Sequence, residues 1–277
     1  MTALLIKTHE LWLETLMAGF MSRTQNRQKL YNFADIIFRH MRWIERCMIS
    51  NNKDYNYDRD SIPIKVTKLS EILNNINHRI GEIDLQLLSC PDKNLVSRIA
   101  SDLKYIRKTL TVLPDENITA FDASRKLDNI ELTKEATDAL TLFLFEESYK
   151  EYELIMIYNY LQAHSSDAFL NRIFQIMIDE SMFHLRSFAE MMSEMGILGV
   201  PRVIHKSLYI IDDVKQFLKD GIDEEMAAKE MCIELSDAVA KDSKELADFF
   251  DFINNQEDYH ISLMKDALAH YEELENE

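Results

Sequence analysis

Two carboxylate-histidine pairs lie on apolar helical patterns in the second half of the chain, Glu180 with His184 and Glu257 with His260. Stepping by three and four, the stripe Leu170, Ile173, Met177, Glu180, His184, Phe188, Met191 carries the first pair inward. The stripe Phe250, Ile253, Glu257, His260, Met264, Ala267, Tyr271 does the same for the second, and Leu140, Leu144, Glu147, Glu151, Leu154, Tyr158 brings Glu147 into line with core residues. Burying an unpaired carboxylate costs several kcal/mol. A divalent cation offsets that cost by bonding the oxygens directly, and neutral imidazole supplies nitrogen donors to the same ion. With Glu230 on the remaining helix, the residues Glu147, Glu180, His184, Glu230, Glu257 and His260 make a ligand set for a dinuclear metal site.

The register of the helices supports this grouping. Positions 147 and 180 average to a point beside His164 and Ser165, where the chain turns, and 230 and 257 to one beside Ser243 and Lys244. On antiparallel helices each hairpin then sets one glutamate level with a Glu-His pair. Glu257 and His260 are three residues apart and Glu180 and His184 four, about 60° or 40° around a helix, so each pair keeps to one face. A π-bulge between Glu180 and His184 would restore the three-residue geometry. Asp179 could hydrogen-bond a metal-bound imidazole from the other hairpin, and Gln256 holds the corresponding place before Glu257. Glu151 and Glu234, one turn beyond Glu147 and Glu230, could be extra ligands, ion-entry residues or proton carriers, or simply charged helix edges. The alternative for the whole constellation is a metal-free helical scaffold or interaction protein whose inward charges pair with Lys, Arg or one another. Few basic residues fall on the relevant stripes.

Five glycines and four prolines in 277 residues leave little punctuation for strands and turns, so the expected class is all-α. Helical periodicity over residues 3–20, 27–49, 66–88 and 94–113 predicts a first helical bundle spanning 1–113, and 114–130 reads as a linker. The second domain, 131–277, begins with a helix from 131 or 133 to 164. Its next helix has Asp167 as N-cap and runs to Met195, where Gly196 ends it. A segment from 196 to 221 with a short helical piece at 212–219 is long enough to cross the bundle. Asp223, Glu224 and Glu225 suit the first turn of a third helix running to 240, and the last continues to about 274. Two hairpins joined by one long crossover make a ferritin-like connectivity. In the first half Glu10 and His40 average to the turn near Thr24 and Gln25, and His78 faces about 102–105. No Glu-x-x-His pair occurs there, which predicts a degenerate or partner bundle, a pairing that would imitate a dimer of single-domain proteins.

Residues 131–277 thus resemble the ferritin-like diiron carboxylate superfamily, the group of rubrerythrins, bacterioferritins, manganese catalases and carboxylate-bridged hydroxylases. The resemblance implies terminal ligands Glu147 and Glu230, bridging ligands Glu180 and Glu257, and imidazole ligands His184 and His260. It implies two iron ions as cofactor, or manganese or a mixed pair, in an oxidoreductase that reacts with O₂ or hydrogen peroxide. A peroxidase or ferroxidase is expected over a hydroxylase, because nothing in the sequence identifies an organic substrate pocket. An external electron donor is implied by the lack of a cysteine-ligated rubredoxin module, and the extra helical half disfavours a storage cage.

With 31 Lys and Arg against 48 Asp and Glu, a net charge of −17 repels nucleic acid and anionic membrane surfaces, which are not expected partners. Much of that charge belongs on solvated faces such as Glu272, Glu273, Glu275 and Glu277. Cys47, Cys90 and Cys232 form no disulfide framework and fit a reducing cytoplasm. Residues 1–21, interrupted by Lys7, His9, Glu10 and Glu14, are unlike a secretory signal, and no apolar run is long enough to span a bilayer. A homo-oligomer is compatible with all of this.

Overall fold

The computed structural model describes residues 1–59, 62, 68–114, 116–127 and 130–276, except the side chains of Thr24, Glu275 and Asn276. The helix start expected at 66, parts of the expected linker at 115, 128 and 129, and Glu277 lie outside the described residues. Among those described, the chain is all-α, with two isolated β-bridges and no strand. No helix is long and apolar enough to cross a membrane. Two compact units form, Met1–Arg125 with Met192–Lys206, and Lys126–Met191 with Ser207–Glu277. The division therefore differs from a single break between 113 and 131, because the chain re-enters the first unit after most of α6.

The first unit is built on α1 (Thr2–Met21), α2 (Thr24–Ser50), α3 (Leu69–Leu87) and α4 (Lys93–Leu110). Asp92 caps α4 by accepting the N–H groups of Asn94 and Leu95. The stretch read as a linker is built into this unit as far as Arg125, held by hydrogen bonds more than by apolar burial. The Asp122 N–H donates to the Gly196 carbonyl at 2.9 Å, and Arg125 donates to the carbonyls of Ser193, at 3.0 Å, and Thr119. Irregular backbone needs such partners, and they leave no hydrophobic periodicity to read. Gly196 adopts φ +82°, and a Cβ there would lie 1.9 Å from the Asp122 carbonyl oxygen, so only glycine fits.

The polar interior of this unit is neutralised from within. Arg79 of α3 reaches the buried carboxylates of α1, pairing with Glu10 and, at 2.8 Å, with Glu14, while Lys7 also holds Glu10 at 3.1 Å. The His40 Nε2 lies 3.0 Å from Asp102 Oδ2, and the exposed His78 lies beside Glu82. Glu10 and His40 therefore have different partners, and His78 does not face 102–105. No group of three metal-capable side chains gathers in this unit among the described residues.

The second unit contains α5 (Lys134–His164), most of α6 (Ala168–Glu194), α8 (Val214–Val239) and α9 (Lys244–Asn276), with the short α7 (Lys206–Tyr209) at its start on the crossover. Thr133 and Asp167 cap α5 and α6 through the N–H groups of Ala136 and Leu170. Asp213 caps α8 through Gln216, so α8 is one 26-residue helix and not a short piece followed by a fresh start at Asp223. Asp223, Glu224 and Glu225 lie in its middle. Gly221, where the crossover was expected to end, lies inside α8, and its missing side chain serves contact between helices, since a Cβ there would lie 3.0 Å from Met264 Sδ. Cross-helix contacts fix the directions. Phe143 meets Phe188, Tyr158 meets Phe217, and Phe169 meets His270, so α5 runs antiparallel to α6 and α8, and α6 to α9. Helices α6 and α8 are then parallel, which requires the long connection between them.

Arg79→Ala should destabilise the protein by roughly 3 kcal/mol, because it strands two buried carboxylates. Adding Glu10→Gln and Glu14→Gln should recover part of the loss. Denaturant melts of the three proteins check this, and an Arg79→Ala protein as stable as wild type would show that the carboxylates need no internal cation.

Candidate metal centre

Each inward polar side chain of the second unit comes from the middle of a long helix whose apolar neighbours hold it in place. Glu151 stands on α5, His184 on α6, Glu225 on α8, and Glu257 and His260 on α9, all buried. They form two overlapping triads, Glu151 with His184 and Glu257, and Glu225 with Glu257 and His260, with the donor atoms of each triad within 4.8 Å of one another. His184 Nδ1 lies 2.8 Å from Glu151 Oε1 and 3.8 Å from Glu257 Oε1. His260 Nδ1 lies 2.9 Å from Glu257 Oε2 and 3.5 Å from Glu225 Oε2. The two oxygens of Glu257 thus face different imidazoles, the disposition of a bridging carboxylate.

The outer nitrogens are held from the opposite hairpin. His184 Nε2 lies 3.1 Å from Gln256 Oε1, and His260 Nε2 lies 2.6 Å from Glu180 Oε2. Gln256 precedes His260 by four residues, as Glu180 precedes His184, so these two are counterparts. The counterpart of Glu257, three residues before its histidine, is the buried Ser181. This accounts for the four-residue spacing without a π-bulge, and α6 is α-helical throughout. Glu180, expected as a bridging ligand, instead orients an imidazole. Gln256 has the imidazole contact expected of it, whereas Asp179 is exposed and accepts from Gln175 at 2.8 Å.

No family model, curated protein or solved structure matches the chain.

Of the expected ligands, the structure brings His184, Glu257 and His260 together with Glu180 beside them. Glu147 is buried one turn from the triads and pairs with Lys150 at 2.7 Å. Glu230 and Glu234 are exposed on α8 and take no part. Glu151, expected only as an extra, belongs to a triad, and Glu225 was missed. Both shifts follow from where the turns lie. The α5–α6 turn centres on Ser166, which sets Glu180 level with Tyr152 rather than Glu147. The α8–α9 turn centres between Lys241 and Asp242, which sets Glu257 level with Met226, the neighbour of Glu225. Glu230 lies about 140° around the helix from Glu225. The usable signal was the stripe Leu218, Gly221, Glu225, Cys232, Leu235, Val239, hidden once α8 was started at Asp223.

Among the described residues, the ion-pair partners of Glu151, Glu180, Glu225 and Glu257 are the two imidazoles alone. Burial raises the Glu257 carboxyl to about 8 against the pull of His260. Burial opposes protonation of His184, but Glu151 overrides it and raises the ring to about 9. His260 is raised in the same way by Glu180, Glu225 and Glu257, while burial of Glu225 is outweighed by its bond to His260 and its carboxyl is lowered. Protons therefore supply the positive charge that the carboxylates require. Glu151 Oε2 is buried with no hydrogen-bond partner among the described residues, a free lone pair facing a site of carboxylate and imidazole donors. That donor set fits a divalent first-row metal.

Both Glu257 and His184 have raised pKa values, so each favours folding at low pH and loses that contribution as pH rises through its folded value. The thermal midpoint of metal-stripped protein should fall between about pH 4.5 and about pH 9, and saturating Mn(II) or Zn(II) should remove the decline. A midpoint that rises over this window would show that the cluster does not hold these protons.

Proposed function

We propose that the second unit binds two first-row metal ions, iron or manganese or one of each, and that the protein is a ferritin-like dinuclear oxidoreductase using O₂ or hydrogen peroxide. The observation that carries this reading is Glu257, shared by two buried Glu-His triads that have no lysine or arginine to neutralise them. One glutamate from each of α5 and α8, a histidine from each of α6 and α9, and a long crossover fit the ligand pattern and connectivity known for such bundles, except that Ser181 stands where α6 would carry a second bridging glutamate. Ions held by Glu151, His184, Glu225, Glu257 and His260 would supply a redox couple for reaction with the oxidant. The protein's own residues hold the donors. Glu180 and Gln256 fix both imidazoles with Nδ1 turned toward the carboxylates. Phe143, packed against Phe188 and Phe250, forms a buried aromatic cluster in the same core. Peroxidase and ferroxidase chemistry both suit this arrangement, with electrons from an external donor or from the incoming metal.

The contrast between the two units counts against a metal-free scaffold. Where the first unit buries carboxylates it places Arg79 on them; the second spends no such residue on its triads.

Anaerobic loading with Fe(II) or Mn(II) should give about two equivalents per chain. Glu257→Ala, which removes the shared ligand, should bind less than half as much, and Glu225→Ala should lose about one equivalent. Glu230→Ala should bind as wild type does. Metal content unchanged by the first two substitutions would end the proposed site. Rapid mixing of Fe(II)-loaded protein with O₂ and with peroxide should oxidise bound iron faster than free iron with at least one of them, and failure with both would remove the oxidoreductase reading.

A further inference from the structure

A cavity of about 510 Å³ reaches the triads from between α5 and α8, with Ser181, Glu257 and His260 in its lining. An oxidant the size of water needs only about 30 Å³, whereas sites for organic molecules run from about 300 to 1,000 Å³. The space has two sequence causes. Ser181 stands where its counterpart Glu257 carries a full carboxylate, and Gly221, Ala227 and Ala228 thin the facing side of α8. Leu154, Ile157, Phe217 and Met264 supply apolar wall.

The remaining lining is acidic. Asp220 and Glu224 are exposed, Glu153 is half-buried, and the one lysine in the lining, Lys150, is paired with Glu147 at 2.7 Å. The Tyr158 hydroxyl is buried in the same wall with no hydrogen-bond partner among the described residues, which provides one further polar contact for an occupant.

We propose that this cavity binds a small organic amine, its apolar body against Ile157, Phe217 and Met264 and its ammonium group beside Asp220 and Glu224. The proposal deepens the oxidoreductase reading by naming a substrate class, and it rests on that reading only for what happens after binding. An organic carboxylate of the same length is excluded by like charge, and an alcohol gains the apolar contacts without the ionic one.

Titration calorimetry on the full chain, with metal content measured on the same sample, tests this using n-octylamine, n-octanol and octanoate. Octylamine should bind saturably, and octanoate at least roughly tenfold more weakly, with octanol between them. Asp220→Asn with Glu224→Gln should weaken octylamine several-fold and leave octanol unchanged. Ala228→Phe, with a wild-type circular dichroism spectrum, should weaken all that bind. No saturable binding of octylamine, or octanol or octanoate binding as tightly, overturns the proposal. Two equivalents of metal with no amine binding would remove the cavity proposal and leave the metal centre, whereas amine binding by protein that takes up no metal would do the reverse.

Discussion

A buried carboxylate has to be matched by positive charge, and Glu257 is where that requirement is most concentrated. It lies between two imidazoles, within a few ångströms of two further glutamates, in the middle of a helix with apolar residues above and below. Burial leaves these charges poorly screened, and three ionised carboxylates at such distances would repel one another strongly. The first unit meets the same demand on Glu10 and Glu14 with Arg79, whose guanidinium is permanently charged and fills its own space. That solution is fixed. Protons on histidine and carboxyl groups, in contrast, leave when a metal ion arrives, so the second unit keeps its compensating charge exchangeable.

The architecture follows from holding those donors still. Each imidazole presents Nδ1 to the carboxylates and is gripped at Nε2 by a residue of the other hairpin, Gln256 for His184 and Glu180 for His260. A side chain gripped from two helices cannot rotate without moving one of them. The α6–α9 contact is therefore as much a part of the cluster as the facing carboxylates and imidazoles, and the crossover that lets α6 and α8 run parallel is what allows four helices to surround it.

All-α class, most helix limits and the pairing of Glu257 with His260 were legible from periodicity, because long helices with apolar stripes leave a strong repeat. The errors were of register. Taking Asp223, Glu224 and Glu225 as a first turn placed a helix start at Asp223, which concealed Glu225 among acidic N-terminal residues and promoted Glu230, five positions on and facing solvent. An error of about two residues in each turn centre moved the level partner by four or five residues, enough to choose Glu147 over Glu151. Local pattern gives the face of a helix well and its height in a bundle poorly, since height accumulates the uncertainty of every turn. The stretch up to Arg125 was illegible for another reason: its order comes from hydrogen bonds to residues far along the chain, and such bonds leave no spacing rule.

The four-residue spacing of Glu180 and His184 had looked like a flawed copy of the Glu257-His260 pair. It records a different division of labour. On α9 the residue four before histidine is neutral Gln256 and the residue three before is charged Glu257; on α6 the charge sits four before and a serine three before. Moving the carboxylate by one position keeps an acceptor on the partner imidazole and removes bulk from the centre on one side only. Ser181 of α6 lines the cavity and Glu180 does not, while α9 contributes Glu257. The two hairpins are therefore similar in backbone but unequal in chemistry: α9 supplies the shared carboxylate, and Ser181 of α6, with Gly221, Ala227 and Ala228 of α8, leaves room beside it.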